Sequence, residues 1–144
     1  MRKNVLILVL AALIVGAGAA YTFAKPKDEK RHKVDGTVYV LPKEFLLNLR
    51  DGRYAKLNVA LVLDHDQPTD GGGHGGGAPP EGFGTLAQEA VVRDIVTDIV
   101  TDQDGDALIS TAGRDQIKRA ILARIRRSTD VKTEDVLITD VAVQ

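Results

Sequence analysis

The sequence predicts an α+β domain, an antiparallel sheet packed with two helices, that follows a single membrane-spanning helix. Three features of the 144-residue chain lead to this fold class. Residues 4–24 carry no charge and are mostly aliphatic or small. Two runs of alternating apolar residues flank Asp51-Gly52, which is typical of a β-hairpin. Further along, two segments repeat apolar residues every three to four positions, as helices on a core do.

The uncharged segment is long enough to cross a bilayer. Its 21 residues make a helix of about 31 Å at ~1.5 Å per residue, close to one hydrocarbon thickness. Ala12, Gly16 and Ala20 recur every four residues, which predicts a seam of small side chains for packing against another membrane helix. We therefore expect a short tail over residues 1–3, a membrane helix over 4–24 and a charged linker over 25–37.

The residues alone do not decide whether this segment is cleaved or which way it crosses the membrane. Arg2-Lys3, an apolar run and the small residues 17–20 also follow the order of a cleavable signal peptide, although the apolar stretch continues to Ala24. Bases lie on both sides of the segment, and long domains translocate largely regardless of flanking charge. Charge therefore leaves the orientation undecided.

Strands open the domain that we expect over residues 38–144. Val38–Val40 is predicted to be a short strand ended by Pro42. Apolar residues then alternate from Phe45 to Leu49 and again from Ala55 to Leu63, so these two runs form the hairpin. Residues 64–84 hold six glycines around one histidine and a Pro-Pro pair, a composition that predicts a flexible loop.

Two helices and a strand complete the domain. Thr85 and Gln88 have the spacing of a capping box, so the first helix is expected to run from there to about Val100. The second helix is expected to start near Thr111 and to fade at Ser128-Thr129-Asp130, and Val136–Val143 alternates as a closing strand. The apolar face of the second helix consists of Ile117, Ile121, Leu122 and Ile125.

The charge distribution and the missing cysteines exclude several classes of function. Residues 1–34 hold seven bases and two acids, whereas residues 35–144 hold twelve bases and eighteen acids. A domain with net charge −6 lacks the basic footprint of a nucleic-acid-binding protein. The chain has no cysteine, which excludes disulfides, thiolate metal sites and a cysteine nucleophile.

The residues also predict neither an enzyme nor a cofactor site. All three histidines fall outside the predicted helices and strand interiors, and neither Ser110 nor Ser128 lies in a G-x-S-x-G turn. No phosphate-binding glycine pattern follows a strand. A catalytic nucleophile needs a base and an orienting group held by packing, and the chain offers no such set.

Two segments resemble metal sites only in part. Asp102, Asp104 and Asp106 imitate the first ligands of a calcium-binding EF-hand loop, but Ala107 and Gly113 stand where that loop needs glycine and glutamate. Asp64-His65-Asp66 with His74 would need the glycine tract to become ordered around an ion. We interpret the first as an acidic turn between helices and the second as a solvated loop. A periplasmic calcium- or metal-binding module remains the alternative function.

The two predicted helices differ in charge. Thr85 to Asp106 holds six acids and one base, whereas Arg114 to Lys132 holds seven bases and two acids. Solvated helix faces would account for this, but so would complementary surfaces of a homo-oligomer. The candidate contact residues are Asp94, Asp98, Asp102, Arg114, Lys118, Arg119, Arg124, Arg126 and Arg127.

Several short motifs follow one another at a distinctive spacing. They are Pro42, Phe45, Asn48-Leu49, Arg53-Tyr54, Lys56-Leu57, Val92-Arg93-Asp94-Ile95, Ser110-Thr111, Gly113-Arg114 and the closing Asp140 to Gln144. With these motifs and its N-terminal span, the chain resembles the flagellar basal-body-associated FliL family over nearly its full length. The resemblance implies structural roles for Pro42, Phe45, Asn48, Arg53, Tyr54, Arg93, Gly113 and Gln144.

The resemblance also implies a location and a partner. It implies a retained inner-membrane anchor, a cytoplasmic N-terminus and a periplasmic domain with a stomatin-like fold. It further implies a homo-oligomeric ring at the basal body, around the MotA/MotB-type stator, that supports motility without catalysis. The chain departs from the family in its very short cytoplasmic tail and its Gly/Pro-rich loop. A stomatin-like membrane scaffold unrelated to flagella is the second alternative.

Overall fold

The computed structural model describes residues 34–69 and 80–144. The expected membrane helix over 4–24, with its seam of Ala12, Gly16 and Ala20, lies outside these ranges, as do residues 70–79 of the expected loop. Among the described helices, none has the length and apolar character needed to span a membrane. The described part forms an α+β domain with an antiparallel sheet, as the sequence predicts.

The sheet is built around one long central strand. Its strands are β1 (Thr37–Val40), β2 (Phe45–Asn48), β3 (Tyr54–Leu63) and β4 (Thr133–Val143). Strand β4 pairs with β3 along nearly its whole length, while β1 and β2 pair with opposite halves of β3. Because a strand has two edges, β1 and β2 follow one another along the edge of β3 that β4 leaves open.

A four-residue interruption separates β1 from β2. Residues 41–44 lie opposite only Asn58 and Val59, because Val40 pairs with Ala60 and Phe45 pairs with Leu57. Proline has no N–H to donate to a sheet, and Pro42 lies in this interruption, so the expected end of the first strand is confirmed.

The predicted hairpin is confirmed as β2–β3. The Leu49 N–H donates to the Arg53 carbonyl at 2.8 Å, and the Gly52 N–H donates to the Leu49 carbonyl at 3.0 Å. Gly52 has φ +84° with no heavy atom near an added Cβ. Its backbone angle, rather than a lack of space, therefore explains the glycine.

Three helices cover one face of the sheet, one more than the sequence predicts. They are α1 (Glu89–Thr101), α2 (Gly105–Ile109) and α3 (Thr111–Ser128). Helix α3 starts at Thr111 and ends at Ser128, within the region where the sequence predicts its start and its fading end, and the Ser110 hydroxyl caps it by accepting the Gly113 N–H at 3.1 Å. The short α2 occupies the segment expected to be an acidic turn, because Leu108 is fully buried there.

The expected capping box at Thr85 and Gln88 is wrong. Helix α1 begins at Glu89, and Gln88 has a left-handed φ of 62° with no side-chain cap. The Gln88 amide instead exchanges two hydrogen bonds of 3.1 and 3.2 Å with Asp130, the second residue after α3. A contact between distant segments therefore fixes this side chain.

The core lies between the helices and alternate residues of β3. Ala55, Leu57, Val59, Leu61 and Leu63 are at most 1% exposed and belong to one apolar cluster with the helices. The helical members of that cluster are Val92, Ile95, Val96, Val100, Leu108, Ile117, Ile121 and Ile125. Leu122 of the expected α3 face is only partly buried.

Candidate functional site

A network of charged groups joins the hairpin turn to the start of α2. The Arg53 guanidinium donates to Asp51 at 2.7 and 2.9 Å and to Asp106 at 2.8 Å. Arg50 forms a bidentate pair with Asp104 at 2.6 and 3.1 Å. The Gly105 N–H donates to Asp51 at 2.8 Å. We call these six residues the turn network, and they anchor the acidic segment to the sheet.

The turn network shifts the protonation of its carboxylates. Hydrogen bonds from Arg53 and from the Gly105 N–H lower the pKa of Asp51 from 3.8 to about 2. The hydrogen bond from Arg50 also lowers the pKa of Asp104. These carboxylates therefore stay ionised far below neutral pH.

Neither segment that resembles a metal site presents converging ligands in the described ranges. Asp104 and Asp106 are engaged by guanidinium groups in the turn network, and the His65 ring contacts Asp35 at 3.0 Å. Across residues 34–69 and 80–144, no three metal-ligating side chains come together. His74 lies outside these ranges.

Three family-motif residues meet at the interruption between β1 and β2. Arg93 of α1 donates to the Lys43 carbonyl at 2.9 Å, and its guanidinium carbon lies 4.4 Å from the centre of the Phe45 ring. Pro42 lies next to Lys43 in the same interruption. The cation–π contact and the hydrogen bond together hold α1 against the interruption between β1 and β2.

The remaining motif residues lie at the end of the sheet and between helices. Tyr54 and Gln144 exchange two backbone hydrogen bonds of 2.9 Å, and Asn48 pairs with Tyr54 on the other edge. A Cβ on Gly113 would collide with the carbonyl of Ala107, so glycine lets α2 and α3 approach closely. These contacts are structural.

A contact between Tyr39 and the buried Glu89 was not predicted from the sequence. The Tyr39 hydroxyl donates to Glu89 Oε2 at 2.6 Å, and the Gly84 N–H donates to the same oxygen at 2.9 Å. Glu89 is only 3% exposed. Burial and the bond to Glu89 raise the pKa of Tyr39. A glutamate in the first turn of a helix is usually explained by its favourable interaction with the helix dipole. No local sequence pattern distinguishes such an exposed glutamate from a buried one like Glu89.

Three of the candidate contact residues already form hydrogen bonds or an ion pair within the chain. Arg114 donates to the carbonyls of Leu108 and Ile109 at 3.0 and 2.6 Å and so caps the end of α2. Arg126 donates to the Thr133 carbonyl at 2.9 Å. Lys118 pairs with the neighbouring Asp115 at 2.7 Å.

The other candidate contact residues face outward. Arg119, Arg124 and Arg127 are exposed on α3, and we call them the basic surface. Asp94, Asp98 and Asp102 are exposed at four-residue spacing along α1 and at its C-cap, and we call them the acidic stripe. Within residues 34–69 and 80–144, none of these six side chains has a salt bridge. Because α1 and α3 pack together, both sets lie on one helix layer.

Comparison with known proteins identifies the family. A family model described as flagellar basal body-associated protein FliL matches residues 38–144. The match includes β2, β3, β4, all three helices and the motif residues described above. No curated protein gives a match to the chain. Because the matched range covers well over half of the sequence, the chain belongs to the FliL family of flagellar basal body-associated proteins.

Proposed function

We propose that this protein is a single-pass inner-membrane component of the flagellar basal body whose periplasmic domain assembles into a ring supporting the stator. Residues 1–3 form the cytoplasmic tail, 4–24 the anchor, 25–37 the linker and 38–144 the periplasmic domain. Family membership supports the basal-body association, and the uncharged length of residues 4–24 supports the anchor. The MotA/MotB-type stator as partner rests on the family resemblance.

The basic surface and the acidic stripe carry the proposal of self-assembly. Each bears three charges of one sign that no described partner neutralises within the chain. An exposed ion pair contributes only ~0–1 kcal/mol, so one contact would not hold two free subunits together. Repeated contacts between membrane-tethered copies act at high effective concentration, and modest affinities suffice to close a ring. The role is mechanical support, without catalysis.

Charge reversal in the full chain tests assembly. Replacing Arg124→Glu together with Arg127→Glu reverses the basic surface and spares Arg126, whose hydrogen bond to Thr133 belongs to the fold. We expect weaker crosslinked oligomers in membranes and smaller motility halos. Lys43→Glu, compared with Arg124→Glu alone, is the matched control, because each change lowers the net charge by two and Lys43 is an exposed base at the strand interruption on the β1–β2 edge of the sheet.

Two outcomes of this experiment would contradict the proposal. Normal oligomers in the double reversal would show that the basic surface is only solvated. An equal loss in the Lys43→Glu control would show that the oligomer responds to net charge alone. Raising the salt concentration should also weaken assembly, because exposed charges are screened beyond about 8 Å at physiological ionic strength.

A further inference from the structure

The face of the sheet opposite the helices carries exposed apolar residues on either side of Ala60 and Val62, which are themselves buried. Val38, Val40, Leu46 and Tyr54 point to this face and are 50, 55, 70 and 64% exposed. By the pairing register, Val40 lies beside Ala60, and Leu46 lies beside Lys56. We call this surface the outer sheet face. Exposed apolar surface of this extent marks a site of protein contact.

Leu137 and Ala142 of β4 extend the outer sheet face across the full width of the sheet. Leu137 pairs with Ala60, and Ala142 pairs with Lys56. Near the end of the sheet, Leu46, Tyr54 and Ala142 help to line a depression of about 290 Å³. Within residues 34–69 and 80–144, the helices pack against the opposite face. A partner would therefore contact exposed apolar side chains on several strands and a depression at one end of the sheet.

Strand addition at the sheet edges is a poor alternative. The pairing of β4 shifts twice, at Asn58/Val59 and at Val62/Leu63. The opposite edge is broken by the interruption that contains Pro42. Bulges and edge prolines discourage pairing with a further strand. A neighbouring molecule therefore has better access to the outer sheet face than to either edge.

Charge identifies the occupant of the outer sheet face. Asp135 and Asp140 are exposed on the β4 side of this face, whereas Lys56 of the central strand β3 is already paired with Glu44 at 2.8 Å. On the helix layer, α3 packs beneath β4 and α1 beneath β2. A second copy stacked in the same orientation would set the basic surface of its α3 over Asp135 and Asp140.

We propose that the helix layer of one copy covers the outer sheet face of the next. This inference rests on the proposed ring and names its interface. The apolar residues of the sheet face would contact the exposed Ala120 and Ala123 between the arginines of α3 and the exposed Val91 of α1. Such a contact is heterologous, since it joins two different surfaces, and it closes a ring only when the small rotations between successive copies add up to a full turn.

Engineered cysteines test this interface directly, because the chain has none of its own. Ala142→Cys lies on the outer sheet face, and Ala120→Cys lies on the exposed side of α3. With both changes in the full chain, a short bismaleimide linker in membranes should give a ladder of dimers, trimers and higher oligomers. We expect each single variant to give at least tenfold less crosslinked product, because each presents a thiol on one side only.

Other results would overturn the inference in distinguishable ways. If Ala142→Cys alone gives as much dimer as the double variant, the sheet faces meet each other. If it crosslinks to a different protein, that protein covers the face. If the ladder is missing while lysine-reactive crosslinking still gives oligomers, the ring stands and the interface lies elsewhere. If neither reagent gives oligomers, the proposed ring fails as well.

Discussion

The turn network and the outer surface of the helix layer use the same residue types differently. In the turn network, two arginines and three aspartates satisfy one another and hold α2 against the hairpin. On the helix layer, three arginines of α3 and three aspartates of α1 and its C-cap have no salt bridge within the described ranges. The comparison separates charges that serve the fold from charges that remain available for a neighbour. Variants of each kind should therefore differ in which property they change.

Gly113→Ala should give the largest loss of stability, about 1–3 kcal/mol, because the new methyl group meets the Ala107 carbonyl. Alanine ordinarily stabilises a helix by ~1 kcal/mol relative to glycine, so the sign of the effect is diagnostic. Urea unfolding of the soluble domain measures it. Ala120→Ser, at an exposed position of the same helix, is the control. A stabilised Gly113→Ala variant would contradict the close packing of α2 on α3.

Tyr39→Phe should cost about 1–3 kcal/mol, because the buried Glu89 carboxylate loses a hydrogen-bond donor. Tyr54→Phe is a matched control, because the Tyr54 side chain is exposed on the other face of the sheet. Thermal unfolding of both variants checks the difference. If both lose stability equally, the Tyr39 hydroxyl contributes nothing specific to the fold.

Asp51→Asn should lower the melting temperature at neutral pH, because the amide replaces a charged acceptor of Arg53 and of the Gly105 N–H. The folded pKa of Asp51 is lowered to about 2. Its contribution is therefore present above the unfolded value of 3.8 and disappears as the pH falls towards 2. The difference from wild type should shrink over that range. Asp94→Asn, in the acidic stripe, should leave the melting temperature unchanged. If both variants lower the melting temperature equally, the turn network does not stabilise the fold more than the outward charges do.

Removing residues 70–79 should have the smallest effect, a change of a few degrees in melting temperature. Changing the length of a connecting loop alters its closure entropy by only ~0.6 kcal/mol per doubling. The deletion stops before Pro80 because the Pro80 carbonyl accepts a hydrogen bond from the Phe83 N–H at 3.0 Å. Circular dichroism of the soluble domain measures the change. A loss as large as that of Gly113→Ala would show that the segment contributes to packing.

Local sequence patterns predict the parts of this fold that local physics determines. The alternation around Asp51-Gly52 gives the hairpin, and the period of Ile117, Ile121 and Ile125 gives α3. The short α2 escapes prediction because its burial comes mainly from one residue, Leu108, and from distant arginines. The capping box at Gln88 is predicted wrongly because the partner of this side chain is Asp130, which is 42 positions away.

The candidate site was predictable only as a set of charges. Composition separates an acidic segment from a basic one, but it cannot say which members are already paired. Arg126 and Arg127 are neighbours in sequence, yet Arg126 bonds to the Thr133 carbonyl and Arg127 faces outward. The apolar outer sheet face escaped prediction for a related reason. Both faces of β3 carry apolar residues, and only the structure shows which face the helices cover.

A charge-swap experiment in the full chain tests the central claim that outward charges of α3 contact the outer sheet face of a neighbour. Arg124→Glu with Arg127→Glu should weaken the membrane oligomer. Adding Asp135→Arg with Asp140→Arg should restore it, because the attraction is re-formed with opposite signs. Adding Asp94→Arg with Asp98→Arg changes net charge equally and should restore nothing. If the Asp94 and Asp98 changes restore the oligomer and the Asp135 and Asp140 changes do not, the account is contradicted. The arginines of α3 would then contact α1 of the neighbour.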